Sequence, residues 1–396
     1  MPLPLPLAAA MARTFRSPII AAKEWVEGVS FPADRPLINV SQAAPIAAPP
    51  LALRQEIARM AVEDIEAHIY GPVLGLPALR SEIASQWSAA YHARIAPSEV
   101  AITSGCNQAF TAVMSTIAAP GDEVILPTPW YFNHKMWCDM SGVHAVPLST
   151  GDDLLPDLEA AARLITPRTR AIVLITPNNP GGVEYPAELL TKFYALAREH
   201  RISLVLDETY RDFDSRSEVP HHLFRQPDWH DTLVHLYSFS KAFRLTGHRV
   251  GALIAAPDRL TQVEKYLDTV AICPNQIGQR AALWGMQNLS QWVAGERAEI
   301  LDRRAAIYEG FPALAAKGWN LLGCGAFFAY VEHPFAMPSS ELAPWLVKHA
   351  SILLLPGASF MPAGDARAER QLRIAFANID RAGIQTLFDR LAQIAP

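Results

Sequence analysis

The chain has 396 residues, 50% of them hydrophobic and 18% charged, more than one hydrophobic core usually serves, so two domains are expected. Its 34 basic and 39 acidic residues leave a net charge of −5 with no long basic run, which argues against nucleic acid as a partner. No apolar stretch approaches bilayer length, and Cys106, Cys138, Cys273 and Cys324 form no C-x-x-C pair, so neither a disulfide framework nor structural zinc is expected, and a reducing cytoplasm fits.

The N-terminus, Met1 to Ala10, alternates Pro and Leu and ends in three Ala. It lacks the basic start of a signal peptide, and its prolines would break the helix, so a disordered extension is expected, with Met11 as an alternative start. Short apolar runs then recur at Val100–Thr103, Val124–Leu126, Ala171–Thr176, Ile202–Leu206 and Leu233–Tyr237. Their length and β-branched content suit buried strands, and the long intervals favour crossovers over hairpins. A largely parallel sheet flanked by helices follows. From about Asn275 the pattern turns helical, through Arg280–Gln287 and Gln291–Tyr308. Strand-like Ala326–Val331 and Leu372–Ala375 follow, with a closing helix around Ile384–Ile394. We read residues 1–45 as an arm that joins a small domain, 46–284 as a large domain and 285–396 as the rest of the small domain.

Each central run leads into polar or small residues: Ser104-Gly105-Cys106-Asn107, Pro129-Trp130-Tyr131, Asn178-Asn179-Pro180, Asp207-Glu208-Thr209-Tyr210 and Ser238-Phe239-Ser240-Lys241. Ligands of open parallel sheets bind at the carboxyl ends of the strands, so these groups should meet along one edge. Gly105, Cys106 and Asn107 precede a helical stretch, Gln108–Ile117, whose N-terminus suits a phosphate. An ordinary helix cap reads equally well there, and Cys106 reads better as a small packed side chain than as a thiolate. Lys241 is one of seven lysines and follows an apolar strand beside small hydroxyls. A desolvated amine near other cations holds its proton weakly and becomes a nucleophile towards aldehydes. Arg249 stands between Gly247 and Gly251, where close backbone approach would let a phosphate meet its fork of donors. Taken singly, Asp207 is a turn former, Asn179 part of a turn, Tyr210 and Tyr70 packed aromatics, and Arg373 a solvent-facing strand residue. His221-His222 has no metal-ligand spacing and reads as structural or solvated; no metal is expected.

Ser238-x-x-Lys241, with Gly247-x-Arg249-x-Gly251 placing an arginine eight residues after the lysine, resembles the cofactor-attachment signature of class I/II aminotransferases. Further motifs, in the family's order, extend the resemblance from Tyr70 to Arg373. It implies an α/β fold of fold type I, a mostly parallel central sheet flanked by helices with a smaller α+β domain. It also implies pyridoxal 5'-phosphate carried on Lys241 as a Schiff base. Asp207 would then pair with the protonated pyridine nitrogen and keep the ring an electron sink. Tyr210 would contact the ring's phenolic oxygen, and Asn179 would serve that oxygen and the substrate carboxylate. Tyr131 matches the position that stacks on the ring, with Trp130 as local rival; Gly105, Cys106, Asn107, Ser238, Ser240 and Arg249 complete the cofactor set. Arg373 matches the arginine that grips the α-carboxylate. Ala43 stands where the family usually has Gly and would narrow the substrate side, and Gly181 replaces the usual Thr of the asparagine loop. Tyr70 matches a tyrosine that reaches the neighbouring subunit's phosphate, implying a homodimer with shared sites. The implied reaction moves an amino group from an amino acid to a 2-oxo acid, with Lys241 relaying the proton. The same residues would serve a carbon–sulfur β-lyase or a decarboxylase, and the motifs do not separate them. A non-catalytic sensor would need a DNA-binding module that the short N-terminal extension does not supply. No second arginine is assigned to the substrate side chain, which leans towards a neutral or aromatic donor.

Overall fold

The structure, a computed structural model, describes residues 8–395; the extension expected over 1–7 lies outside them. Disorder is not what the next residues show. Ala9–Arg13 is a short helix, as its alanines favour once the prolines end.

After a two-residue strand β1 (Ile38–Asn39), the first of the expected runs forms β2 (Val100–Thr103). The others form β3 (Glu123–Thr128), β5 (Thr169–Ile175), β6 (Ser203–Asp207) and β7 (Leu233–Ser238). Two strands not expected from the sequence, β4 (His144–Ser149) and β8 (Gly251–Ile254), complete a seven-stranded sheet in the order β2-β8-β7-β6-β5-β3-β4. The β3–β4, β3–β5, β5–β6 and β6–β7 pairs are parallel, while β8 runs antiparallel to β2 and β7. Helices cover both faces, so neighbouring residues of one strand enter different cores. Ile102, Ile125, Ile172 and Leu204 pack in one. Ala101, Val124, Val173 and Val205 pack in the other. The helix expected at Gln108–Ile117 spans Cys106–Ile117 and starts at the carboxyl end of β2.

A second assembly follows the long helix Ser290–Ala315. It contains β9 (Asn320–Gly325), β10 (Phe328–Glu332), β11 (Ile352–Leu353), β12 (Leu355–Pro356) and β13 (Gln371–Ala375). An antiparallel sheet ordered β12-β13-β10-β9 packs with the helices Ser339–Ala350 and Arg381–Gln393, and β1 pairs in parallel with β11. The core here gathers Phe311, Phe328, Leu342 and Ile384. It also takes Ile38 and Val40 from the arm and Tyr210 and Phe213 from beyond β6. The residues next to Asp207 are thereby anchored in this second core. Among the described residues, no helix is long and apolar enough to cross a membrane.

Candidate functional site

A cavity of about 340 Å³ opens where β2, β3, β5, β6 and β7 end, and all five polar segments contribute to its wall. Lys241 lies in the short helix Phe239–Ala242, where the Ser238 hydroxyl caps by accepting from the Ser240 amide at 3.2 Å. Its Nζ donates to the Ala43 carbonyl at 2.6 Å. Burial, with the Arg249 and Arg373 cations adding to it, pushes the ammonium down to about 8. A useful fraction of this amine is therefore free base near neutrality.

Beside it lies a cradle for an anion. Gly105 precedes the helix Cys106–Ile117 at φ +84°, and a Cβ there would stand 2.0 Å from Arg249 Nη2. A Cβ on Gly251 would meet the Gly105 carbonyl carbon at 2.6 Å, so this glycine does permit close approach. Gly247 faces open space and has no such role, which corrects half of the expectation for the pair. Arg249 donates to the Ser240 hydroxyl at 3.3 Å and the Thr246 carbonyl at 3.1 Å. Ser238, Ser240, Cys106 and Asn107 share this wall. The helix N-terminus, hydroxyls and guanidinium together suit a phosphate.

Across the cavity, Asp207 is 4% exposed. Its Oδ1 accepts from the Thr209 amide at 2.9 Å, and the Cys106 thiol approaches Oδ2 at 3.6 Å. His134 Nε2 stands 3.7 Å from Oδ2, but burial pushes this imidazole down to about 3, so it is neutral and supplies no counter-charge. His134 stacks on Phe110 with ring centroids 3.8 Å apart. Burial also raises Asp207. A buried carboxylate without a cationic partner is costly, and a positively charged ligand nitrogen would relieve it.

Arg373 extends from β13 and is 2% exposed, not solvent-facing. Its Nη1 donates to Asn179 Oδ1 at 2.9 Å and its Nη2 to the Ser41 carbonyl at 2.5 Å. Its Nε is buried with no partner among the described residues. The guanidinium lies 4.8 Å from the Phe360 ring centroid and 5.0 Å from that of Phe328, and burial lowers it to about 10. Asn178 organises the loop instead: its Oδ1 accepts from the Gly181 amide at 2.8 Å and its amide donates to the Tyr185 hydroxyl at 3.2 Å. A Cβ on Gly181 would come within 2.9 Å of both Asn178 Oδ1 and Leu154, so a threonine here would require those side chains to shift.

Tyr131 lines the cavity, while its rival Trp130 is buried in the core beneath the sheet edge. Tyr210 and Ala43 also line the cavity. Tyr70 does not; it is 76% exposed and outside its own chain's cavity. His221 is fully buried and His222 is exposed. Sequence reasoning passed over His134, Thr209, the Ser41 carbonyl and a wall made by Ser17, Ile19 and Ile20. The wall had no usable signal, because a short helix, Pro18–Glu24, reaches the site only through tertiary packing.

The family of class I and II aminotransferases matches residues 35–391. An aspartate/prephenate aminotransferase of Thermus thermophilus is 29% identical over 82% of this chain and 83% of its own length. An aromatic aminotransferase of Arabidopsis thaliana is 28% identical, over 80% and 82% respectively. The solved structure of an aspartate aminotransferase from Thermus thermophilus with maleate superposes with a TM-score of 0.88 at 25% identity, covering 98% of this chain and 100% of that one. Fold, strand-end cavity and sequence thus agree, and the chain belongs to the class I and II aminotransferase family, on the mostly parallel fold-type I scaffold.

Proposed function

We propose that this aminotransferase binds pyridoxal 5'-phosphate on Lys241 and moves amino groups between amino acids and 2-oxo acids. The observation that carries the reading is Asp207, a buried carboxylate without a cationic side-chain partner, in the same cavity as a lysine lowered to about 8. The cofactor's cationic nitrogen, aldehyde and phosphate suit Asp207, Lys241 and the Gly105–Arg249 cradle in turn. When bound, this cofactor supplies an electron sink for the bond broken at the substrate Cα.

Lys241 Nζ takes the proton from Cα and returns it to the other end of the reacting system, a relay helped by its lowered pKa. Arg373 holds the α-carboxylate, to which its partnerless Nε offers a donor. A carboxylate so held stays on the substrate, which disfavours decarboxylation. Tyr131, Asn179 and Tyr210 line the cavity where they can orient the ring and its phenolic oxygen.

The working unit in this reading is a homodimer, with Tyr70 serving the partner's phosphate. Exposed Val62, Ile65, Ile69 and Tyr70 form an apolar stretch that a second copy would cover. Residues 46–284 carry the cofactor, and 1–45 with 285–396 cover the substrate side. Cys106, Cys138 and Cys324 are free and buried, in keeping with a reducing cytoplasm.

Borohydride reduction of the loaded enzyme, followed by peptide mapping, should find the cofactor on Lys241. A good amino donor without 2-oxo acid should convert the cofactor once, stoichiometrically. Labelling of another lysine would overturn the attachment, and repeated release of ammonia or carbon dioxide would make the protein a lyase or decarboxylase.

A further inference from the structure

Along one wall of the cavity, three polar side chains form a hydrogen-bonded row. Asn133 Nδ2 donates to the Tyr131 hydroxyl at 3.0 Å, and that hydroxyl donates to Asn107 Oδ1 at 3.4 Å. All three residues line the cavity, and both bonds are made within one chain. A tyrosine hydroxyl has one proton to give and can also accept. Asn133 uses its accepting side, so its proton goes to Asn107. That choice orients the Asn107 amide in turn: its oxygen is taken, and its NH2 remains for the anion cradle. On the proposed function, on which this inference rests, the row serves two parts of the cofactor. Tyr131 lies against the ring, and Asn107 serves the phosphate.

The surrounding elements show what the row adds. Asn107 sits in the first turn of the helix Cys106–Ile117, and Tyr131 directly precedes the helix Phe132–Ser141. Deeper in the fold these helices are joined by His134, which stacks on Phe110. Phe132 is buried and lies 6.0 Å from Phe360, centroid to centroid, which anchors the backbone between Tyr131 and Asn133. The Tyr131 ring itself packs edge-on to His134, with centroids 5.2 Å apart. These apolar contacts place the body of the ring, and the two asparagines hold its hydroxyl end. Burial, with Asp207 adding to it, pushes this phenol up to about 12, so its proton is present to be donated near neutrality.

We infer that Asn133 is a positioning residue for the cofactor: by holding the Tyr131 hydroxyl it sets the tilt of the aromatic ring and leaves the Asn107 amide donor to the phosphate. Such bonds strengthen once a bound cofactor excludes water from the wall.

The test compares binding of pyridoxal 5'-phosphate by the parent, by Asn133→Ala, by Tyr131→Phe and by the double variant. Asn133→Ala should weaken binding about three- to tenfold, the scale of one net hydrogen bond. Tyr131→Phe, which removes a single oxygen, should weaken it at least as much. The double variant should bind no more weakly than Tyr131→Phe, because Asn133 acts through the hydroxyl. Circular dichroism in the absorbance band of the bound cofactor reports ring tilt and should change alike in all three variants. Equal losses from Asn133→Ala with and without the Tyr131 hydroxyl would overturn the inference, since Asn133 would then act on its own. So would binding and dichroism in Asn133→Ala that match the parent. A parent enzyme that takes up no pyridoxal 5'-phosphate would overturn the proposed function itself, and this inference with it.

Discussion

Asp207 combines two features that rarely coexist, a buried carboxylate and no cation among its contacts. Thr209 and Cys106 satisfy part of its hydrogen-bonding capacity. His134, the group best placed to neutralise it, is held uncharged by its own burial against Phe110. The remaining demand is for a positive charge from the cavity. Asp207→Ala should therefore still accept the cofactor on Lys241 but lose turnover by about 10²–10³-fold, the scale for removing one preorganised electrostatic group. Absorbance sets the occupancy, and turnover at equal occupancy gives the effect; parity with the parent would make Asp207 a turn residue only. At this scale the sequence anticipated that Lys241, Asp207, Asn179 and Arg373 would share one cavity, for the last three through the family resemblance, since singly they read as turn or solvent-facing residues. His134, Thr209 and Ser41 were not anticipated. Ser41 and Thr209 act through backbone groups, which no side-chain pattern advertises, and His134 reaches Asp207 from a helix far along the chain.

Strand β6 ends by dividing two buried acids between two environments. Asp207 faces the cavity, and Glu208, whose amide donates to the Leu236 carbonyl, serves the packed interior. The Glu208 carboxylate accepts from the Tyr91 hydroxyl and from His235 Nε2 at 2.7 Å, and His221 Nε2 stands 3.4 Å away without a hydrogen bond. Burial opposes its ionisation, but His221 and His235 outweigh it and hold the group well below the usual carboxylate range. Burial also lowers His235, against the pull of Glu208. Glu208→Ala would strand these donors and should cost about 3–5 kcal/mol in denaturant unfolding, as for breaking a buried pair. Because the folded pKa is depressed, Glu208 contributes stability above the unfolded carboxylate value, near about 4.3, and loses it as pH falls through the lower folded value. The gap between parent and variant should therefore close in acid; a gap that stays constant would place the effect in packing alone.

The same scale explains what the strand reading missed. β5, β6 and β7 are continuous buried runs and were easy to read. β4 is largely uncovered and contains Pro147, so it carries little apolar signal. β8 starts at Gly251, inside the motif already assigned to the anion cradle, and its antiparallel direction depends on partners no local window contains.

For the molecule as a whole, the exposed Tyr70 and its apolar neighbours matter most. A chain that leaves Val62 at 85% and Ile65 at 77% exposure presents a surface suited to self-association. Sedimentation should find a dimer, and mixed dimers of Tyr70→Ala and Lys241→Ala chains should regain activity that neither parent variant has, since one site then holds both intact residues. No recovery on mixing would mean that the sites are not shared. The sheet class, its helical cover and the order of its site segments were readable from periodicity and motif. The interlock was not: Tyr210 and Phe213 lie beyond β6, yet pack in the second core with Ile38 and Val40.

One short stretch of that arm bears on both ends of the reaction. Lys241 rests on the Ala43 carbonyl and Arg373 on the Ser41 carbonyl, two residues apart. Covalent use of the lysine gives up the first support, and a carboxylate drawing on the arginine competes with the second. At the lysine an internal acceptor is given up, while at the arginine the buried Nε, unpartnered among the described residues, adds a donor to whatever is exchanged at Nη2. Because the two carbonyls share one backbone segment, freeing one alters the setting of the other. Occupancy by cofactor and by substrate then become linked quantities, and whatever one does to the affinity of the other must be returned in equal measure.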